Sequence, residues 1–566
     1  MPQLIAVKSL SQLCLEYVKN NMTVLCEKLP SADFATTISN QTSQSPFDQL
    51  PSKFLEEIIC ALQTKRCLKK FLGLLAAPQL VTLNLNLRYL SKEDDSSIRF
   101  EPNSLRCIYL KNLSLRWSSL RNDKFLTTVI PMLVKLQVLD ISHTETEDSS
   151  LEVIGTYCTD LIELELTECQ NISDIGVKKL CVSAAHNLGR EDEKLGLHKS
   201  LLKLGSYGTK ITKAGIQLGL ETFRSLKIWD MATVQILAGI HKKDFLNRSP
   251  EIQKYSLMNL EIASHCDYIP KSFGLVLSLC PFVIDVEINI VQGLTDSDLL
   301  SLLSLEKLRK LKLNGSIDDC SSYVTFTFGG GVTPILKAFG NSLKSLSVSN
   351  LCDVNIQVIT QLCPNLQFLE LIDCFSYFTA KLDEECVKNE SLVLKQLEKL
   401  SLYAGNSSRP ISIPRKHLVL LLSAPSLMDI YIECCCTLND DVLQEVARVQ
   451  KFHHLESLEV KKCHNVTEKG IDVFMNAQNP LKKIVLRWCR QVTKSNVDYW
   501  KKQAKMNNWQ IVIQFDNFEE CDVYFHGKRS EDEYDYHEDQ NGEAGDYENW
   551  EESSESSDGY DFERWL

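Results

Sequence analysis

The 21 cysteines of this 566-residue sequence carry the most latent chemistry. A catalytic thiol needs a histidine or cation to hold its thiolate, and a metal site needs further Cys or His ligands at a set spacing. The triplet Cys434-Cys435-Cys436 has no second pair at zinc-finger spacing. In an extended segment its three side chains point to alternating faces, so no metal and no catalytic cysteine is expected. The glycines of Phe328-Gly329-Gly330-Gly331 lie outside a strand-turn-helix phosphate signature. Like Gly189-Arg190-Glu191-Asp192-Glu193-Lys194, they read as a surface loop. With no paired catalytic constellation and no cofactor signature, the residues argue for binding rather than reaction. Those best suited to it are Phe368, Tyr403 and Tyr431, with Lys461, Lys483 and Arg487 further along the chain. Aromatic side chains beside charges are the composition of a protein-binding hot spot.

Positioning these side chains is the task of a repeated element. From about Leu80 the unit L-x-x-L-x-L recurs, with Cys, Asn or Thr a few residues later and an amphipathic helical stretch after that. Strong copies start at Leu136, Leu161, Leu308, Leu366 and Leu455. Weaker ones start near Leu80, Leu105, Leu201, Leu226, Leu257, Val283, Leu343, Leu397, Leu427 and Leu481, and Trp509–Ile513 reads as a closing strand. Most starts lie about 23 to 31 residues apart, close to the leucine-rich-repeat period. The fold class expected is therefore an α/β leucine-rich-repeat solenoid of about 14–15 units over residues 76–514, with parallel strands on a concave face and helices on the convex face. The leucines point inward. Residues between and after them, including Asp140, Glu163, Glu165, Asp285, Glu287, Lys310 and Lys312, line the concave face with the aromatics.

Several units share a further signature. Cys169-Gln170-Asn171-Ile172-Ser173-Asp174-Ile175-Gly176 recurs as Cys463-His464-Asn465-Val466-Thr467-Glu468-Lys469-Gly470, and in part at Cys489. This resembles the cysteine-containing repeat subtype common in ubiquitin ligase receptors. The Cys is a small apolar filler after the strand, the Ser or Thr suits a helix cap, and the Gly permits close packing.

Residues 1–75 precede the repeats and read as helical. Ser9 with Gln12 has the form of a capping box, and Leu10, Leu13, Cys14, Tyr17 and Val18 then make one apolar stripe. Ser9, Leu10, Cys14 and Val18 fit the pattern of the elongin-binding box of cullin-RING ligase receptors. Downstream, Leu50, Pro51, Phe54 and Ile58 resemble the cullin box that follows it. The pair is similar to the amino terminus of the Zyg-eleven/Zer-one receptors. The resemblance implies a non-catalytic substrate receptor working with elongin C, elongin B, cullin-2 and a RING subunit. Leu10, Cys14 and Val18 would contact elongin, and Leu50, Pro51, Phe54 and Ile58 the cullin. Those receptors read substrates with a carboxy-terminal helical-repeat domain. Here leucine-rich repeats continue instead, so that specificity is not carried over. Leu50-Pro51 with Phe54, Leu55 and Ile58 also resembles the start of an F-box, although no Cys-x-x-Trp-like ending follows. A scaffold whose first helices merely cap the repeats is the remaining alternative.

Composition fits a soluble globular protein, 44% hydrophobic and 24% charged. No apolar run approaches the roughly 20 residues that span a bilayer, and no secretory signal is read at the amino terminus. Scattered, odd-numbered cysteines suit a reducing cytoplasm or nucleus. Residues 515–566 hold 19 acidic and 3 basic side chains, net −16, against −13 for the whole chain, which leaves the first 514 residues at +3. So charged a segment is expected to be a disordered tail able to compete for Lys461, Lys483 and Arg487. The near-neutral body does not suit nucleic acid.

Overall fold

The computed structural model describes residues 9–27, 45, 47–64, 68–85, 106–117, 124–186, 196–243, 253–263, 268–289, 293–315, 326–374, 376–377, 394–404, 410–449, 452–476 and 480–516. The acidic tail from residue 517 and the Gly189–Lys194 segment lie outside them.

Among the described residues three helices come first: α1 (Leu10–Glu27), α2 (Ser52–Thr64) and α3 (Leu68–Leu75). Short parallel strands then alternate with helices. The first sheet holds β1 (Thr82–Asn84), β2 (Asn112–Ser114), β3 (Val138–Asp140), β4 (Glu163–Glu165), β5 (Lys203–Gly205) and β6 (Ile228–Asp230), paired in sequence order. The second holds β7 (Asn259–Ile262), β8 (Asp285–Ile288), β9 (Lys310–Asn314), β10 (Ser345–Ser349), β11 (Phe368–Ile372), β12 (Lys399–Tyr403), β13 (Asp429–Glu433), β14 (Ser457–Lys461), β15 (Lys483–Arg487) and β16 (Val512–Asp516). This is a leucine-rich-repeat solenoid. In-register pairing places Leu371, Leu402, Ile432, Val460 and Leu486 in one buried row, so each repeat completes the core of its neighbour.

Three readings of the repeats need correction. The second unit starts at Leu110, not Leu105, because Leu110, Leu113 and Leu115 are the buried set while Ile108 is exposed. Phe328–Val332 is not a surface loop: it is a wide helical turn leading into the helix Thr333–Phe339, with Phe328 in the core. Phe515 and Asp516, which composition placed with the tail, belong to the last strand.

After many strands one residue adopts left-handed backbone: Glu168, Asp373, Cys434, Lys462 and Trp488, with φ between 48° and 59°. That turn swings the next side chain inward, and in these five repeats it is Cys169, Cys374, Cys435, Cys463 or Cys489, all buried. Each left-handed residue costs on the order of 1 kcal/mol, which burial of the following side chain offsets. The thiols also find acceptors. Cys169 Sγ donates to Ile141 O at 3.0 Å and Cys489 Sγ to Val460 O at 3.6 Å, in each case a carbonyl of the preceding repeat. Burial pushes the Cys374 thiol up to about 12, the setting of an inert structural cysteine.

A second device ties the helical side together. Asp148 accepts from Ser173 N and Oγ at 2.8 and 2.6 Å; Asp174 does the same for Thr212, Asp296 for Thr327 and Asp440 for Thr467. The received hydroxyl in turn caps its own helix, as Thr212 and Thr467 do. The signature glycine is required because the Asp of the preceding repeat lies over it. A Cβ on Gly470 would sit 2.5 Å from Asp440 Oδ1, and one on Gly176 2.3 Å from Asp148 Oδ1. Gly470→Ala is therefore expected to destabilise the fold by about 1–3 kcal/mol, despite alanine's better helix propensity. Urea unfolding checks this, and an unchanged midpoint would refute the packing account.

Candidate functional site: two protein-binding surfaces

The first surface is α1. Its predicted capping box forms, with Ser9 N donating to Gln12 Oε1 at 2.9 Å and Gln12 N to Ser9 Oγ at 3.2 Å. One face of the helix is fastened down. Met22 is 2% exposed, Leu15 and Val18 pack on the core, and Lys19 Nζ lies 3.2 Å from Glu57 Oε2 on α2. The opposite face is bare: Leu10 is 77% exposed, Leu13 49% and Tyr17 61%, with Cys14 exposed among them. The structure thus separates Leu10 and Cys14, which face outward, from Val18, which faces inward. At Asn21 the helix kinks (φ −114°, ψ 17°), and the Asn21 amide donates to Tyr17 O at 2.9 Å.

α2 serves chiefly as a lid on the repeats. Leu55, Ile58, Ile59 and Leu62 are buried, and the free edge of β1 is closed by polar groups of the same helix. Val81 N donates to Ser52 Oγ at 2.9 Å and Thr82 N to Glu56 Oε1 at 3.1 Å. Of the residues expected to meet a cullin, Pro51 is exposed, Leu50 and Phe54 are half-buried, and Ile58 is 1% exposed and belongs to the core. Arg106 holds the preceding turn by a bidentate pair to Asp48 at 2.7 and 2.8 Å.

The second surface is the open face of the sheets. Tyr403 and Tyr431, on adjacent strands, meet edge to face with centroids 5.3 Å apart. Phe368 stands in a different row of the sheet, opposite Lys399, and does not join them in one strip. Tyr403 Oη donates to Glu370 Oε1 at 3.3 Å and Tyr431 Oη to Glu433 Oε2 at 2.5 Å. Burial, then the Glu433 carboxylate, push the Tyr431 hydroxyl well up, so it stays a donor. Lys461 Nζ lies over the Tyr431 ring, donates to its hydroxyl at 3.1 Å and sits 3.0 Å from Glu459 Oε1. Lys483 is 3.9 Å from the other Glu459 oxygen. Of the three basic positions read as open to an acidic partner, Lys461 is thus already ion-paired within the sheet. In the strand register Arg487 stands opposite Asp516 of β16.

The sequence reading left two carboxylates of this face unremarked. Asp230 and Glu261 extend the row of Asp140, Glu165 and Glu287. The signal lies in the repeats that start near Leu226 and Leu257, where Asp230 and Glu261 are outward residues beside the inward Trp229, Leu260 and Ile262. Burial raises Glu165, Asp230 and Asp285; Glu261 rises to about 7, by burial first and then by the Glu287 and Asp230 carboxylates. A carboxyl whose folded value lies above its unfolded one penalises the fold when ionised. That penalty is complete above about pH 7 and gone below the unfolded value of 4.5. Glu261→Gln is accordingly expected to raise stability at pH 8 by about 1 kcal/mol or more, with the gain fading toward pH 4.5. Denaturant titrations at several pH values test it, and a gain independent of pH would contradict it.

No family model matches the chain. It is similar to F-box/LRR-repeat protein 4 of Bos taurus, 25% identical over 196 residues, which are 34% of this chain and 30% of that protein. The chain therefore spans under a third of that relative. Among solved structures it aligns with the Rad7 and Elc1 complex of yeast at TM-score 0.36 and 15% identity, over 84% of this chain and 98% of that one. A leucine-rich-repeat protein of Leptospira interrogans aligns at TM-score 0.31 and 14% identity, over 85% and 98%. Structural likenesses of that grade carry no information on activity or partner.

Proposed function

We propose that this protein is a non-catalytic substrate receptor of an elongin-type cullin-RING ubiquitin ligase. Elongin C, bound with elongin B, would take the outer face of α1, cullin-2 would meet the exposed Pro51 end of α2 and bring the RING subunit, and the open sheet face would hold a protein substrate. Ubiquitin transfer then follows from proximity, with the chemistry on other subunits. The observation that carries the reading is the bare stripe of Leu10, Leu13, Cys14 and Tyr17 on a helix whose other face is anchored. A helix that only capped the repeats would bury its large apolar residues rather than present them. Small Cys14 beside Leu10 lets a partner's backbone approach, as helix-in-groove docking requires. Work in the cytoplasm or nucleus belongs to the same proposal.

An F-box-type receptor is the second reading, favoured by the likeness to F-box/LRR-repeat protein 4. Co-purification of the full chain with elongin B/C and, separately, with the F-box adaptor Skp-one decides between them. Retention of elongin B/C supports the first, retention of Skp-one the second, and retention of neither leaves a leucine-rich-repeat scaffold.

A further inference from the structure

The strand ladder is interrupted between β6 and β7. At an ordinary step two successive amides of the incoming strand reach one carbonyl, as Gln137 N and Val138 N reach Lys111 O. Here one backbone bond crosses among the described residues, Met258 N to Lys227 O at 2.7 Å. The chain leaves β6 directly into the helix Thr233–Ile240, which packs against β7. From that helix Gln235, 6% exposed, stands in for part of the missing ladder: its Nε2 donates to Ala263 O at 2.8 Å and its Oε1 accepts from Ala263 N at 3.4 Å. A side-chain amide can replace a strand's donor and acceptor in this way because it carries both groups in one plane.

On the open face of the same gap stand like charges. Asp230 closes the first sheet, with Lys203 of β5 beside it and Glu287 of β8 across the gap. Glu261 opens the second sheet and faces Asp230 and Glu287. It accepts from Asn289 Nδ2 at 3.3 Å, while the cation that acts on it, Lys312 of β9, is committed to Glu287 at 2.8 Å.

We propose that the β6–β7 break is a joint between two blocks of repeats, clasped by the Gln235 amide and forced apart by Asp230, Glu261 and Glu287. Neutralising the carboxylates tightens the joint; removing the clasp opens it. The angle between the blocks thereby becomes a property that charge on the open face controls. Burial and mutual repulsion hold Glu261 at about 7, which places the change near neutral pH.

Hydrogen exchange read by mass spectrometry on the full chain tests this, with rates expressed as protection relative to each peptide's intrinsic exchange. In the wild type at pH 8, protection over Met258–Ala263 is expected to be at least tenfold below that over Lys310–Asn314 of the uninterrupted ladder, and to recover severalfold at pH 6. Glu261→Gln should give the pH 6 level at pH 8, and Gln235→Leu should remove both the protection and its recovery. Because Gln235→Leu could prevent folding, the wild-type pH comparison and Glu261→Gln are sufficient by themselves. Equal protection of the two segments at both pH values, or no change in Glu261→Gln, would overturn the joint.

Discussion

A Leu10→Ala, Cys14→Arg double variant is expected to lose at least about thirtyfold in affinity for the elongin B/C pair, with no loss of folding stability. Truncating a central apolar anchor of an interface typically costs about 2 kcal/mol or more, and an arginine in place of a small residue blocks close backbone approach. The folded protein should be indifferent, because both side chains stand on the exposed face and touch none of the core beneath α1. Val18→Ala should behave in the opposite way. Its side chain packs on the core, so stability should fall while the contact face keeps its chemistry. Isothermal titration calorimetry paired with thermal melts separates the two effects. Binding lost in Val18→Ala but kept in the double variant would put the docking face on the wrong side of the helix.

The largest loss of stability should come from Trp229→Ala, on the order of 3–5 kcal/mol. Trp229 is fully buried in β6, and its Nε1 donates to Ser206 Oγ at 2.7 Å, so truncation leaves a cavity and an unpaired buried hydroxyl together. The large ring fits because the helix beneath carries no side chain at Gly219, where a Cβ would lie 2.5 Å from Trp229 Cη2. Gly219→Ala alone should therefore destabilise, whereas in the Trp229→Ala background the added methyl enters the vacated space. The double variant should be more stable than the sum of the two single losses predicts, by about 1 kcal/mol or more. Strict additivity in denaturant unfolding would show that Gly219 is not there to admit the ring.

The elongin-type resemblance and the surface that supports it are of different kinds. The resemblance rests on a few residue types at set spacings. The exposure of Leu10, Leu13 and Tyr17 depends on which side of α1 faces α2, and that is decided by Met22, Val18 and the Lys19–Glu57 pair. In the sequence Tyr17 and Val18 are adjacent members of one apolar stripe; in the structure one is presented and the other packed. The open sheet face shows a similar divide. The sequence places Tyr431 and Lys461 there, but only the register brings ring, ammonium and the Glu433 and Glu459 carboxylates together into one hydrogen-bonded, ion-paired group.

What the sequence determined by itself is what local patterning can encode. L-x-x-L-x-L alternates inward and outward residues with the period of a strand, so it specifies the strands, their inward leucines and the solenoid class without knowledge of any partner repeat. The Ser9-Gln12 box was legible for the same reason, since both partners lie within one helical turn. The tertiary structure alone decided whatever depends on groups far apart in the chain. Asp440 is tied to Thr467 across 27 residues and Gln235 to Ala263 across 28, and Asp230 meets Glu261 and Glu287 across a gap that no repeat pattern marks. Insertions of unequal length lie between the repeats, so sequence spacing does not fix which residue of one repeat stands above which of the next. Stacking and hydrogen-bond register fix it, and with it the charge, exposure and packing of each surface.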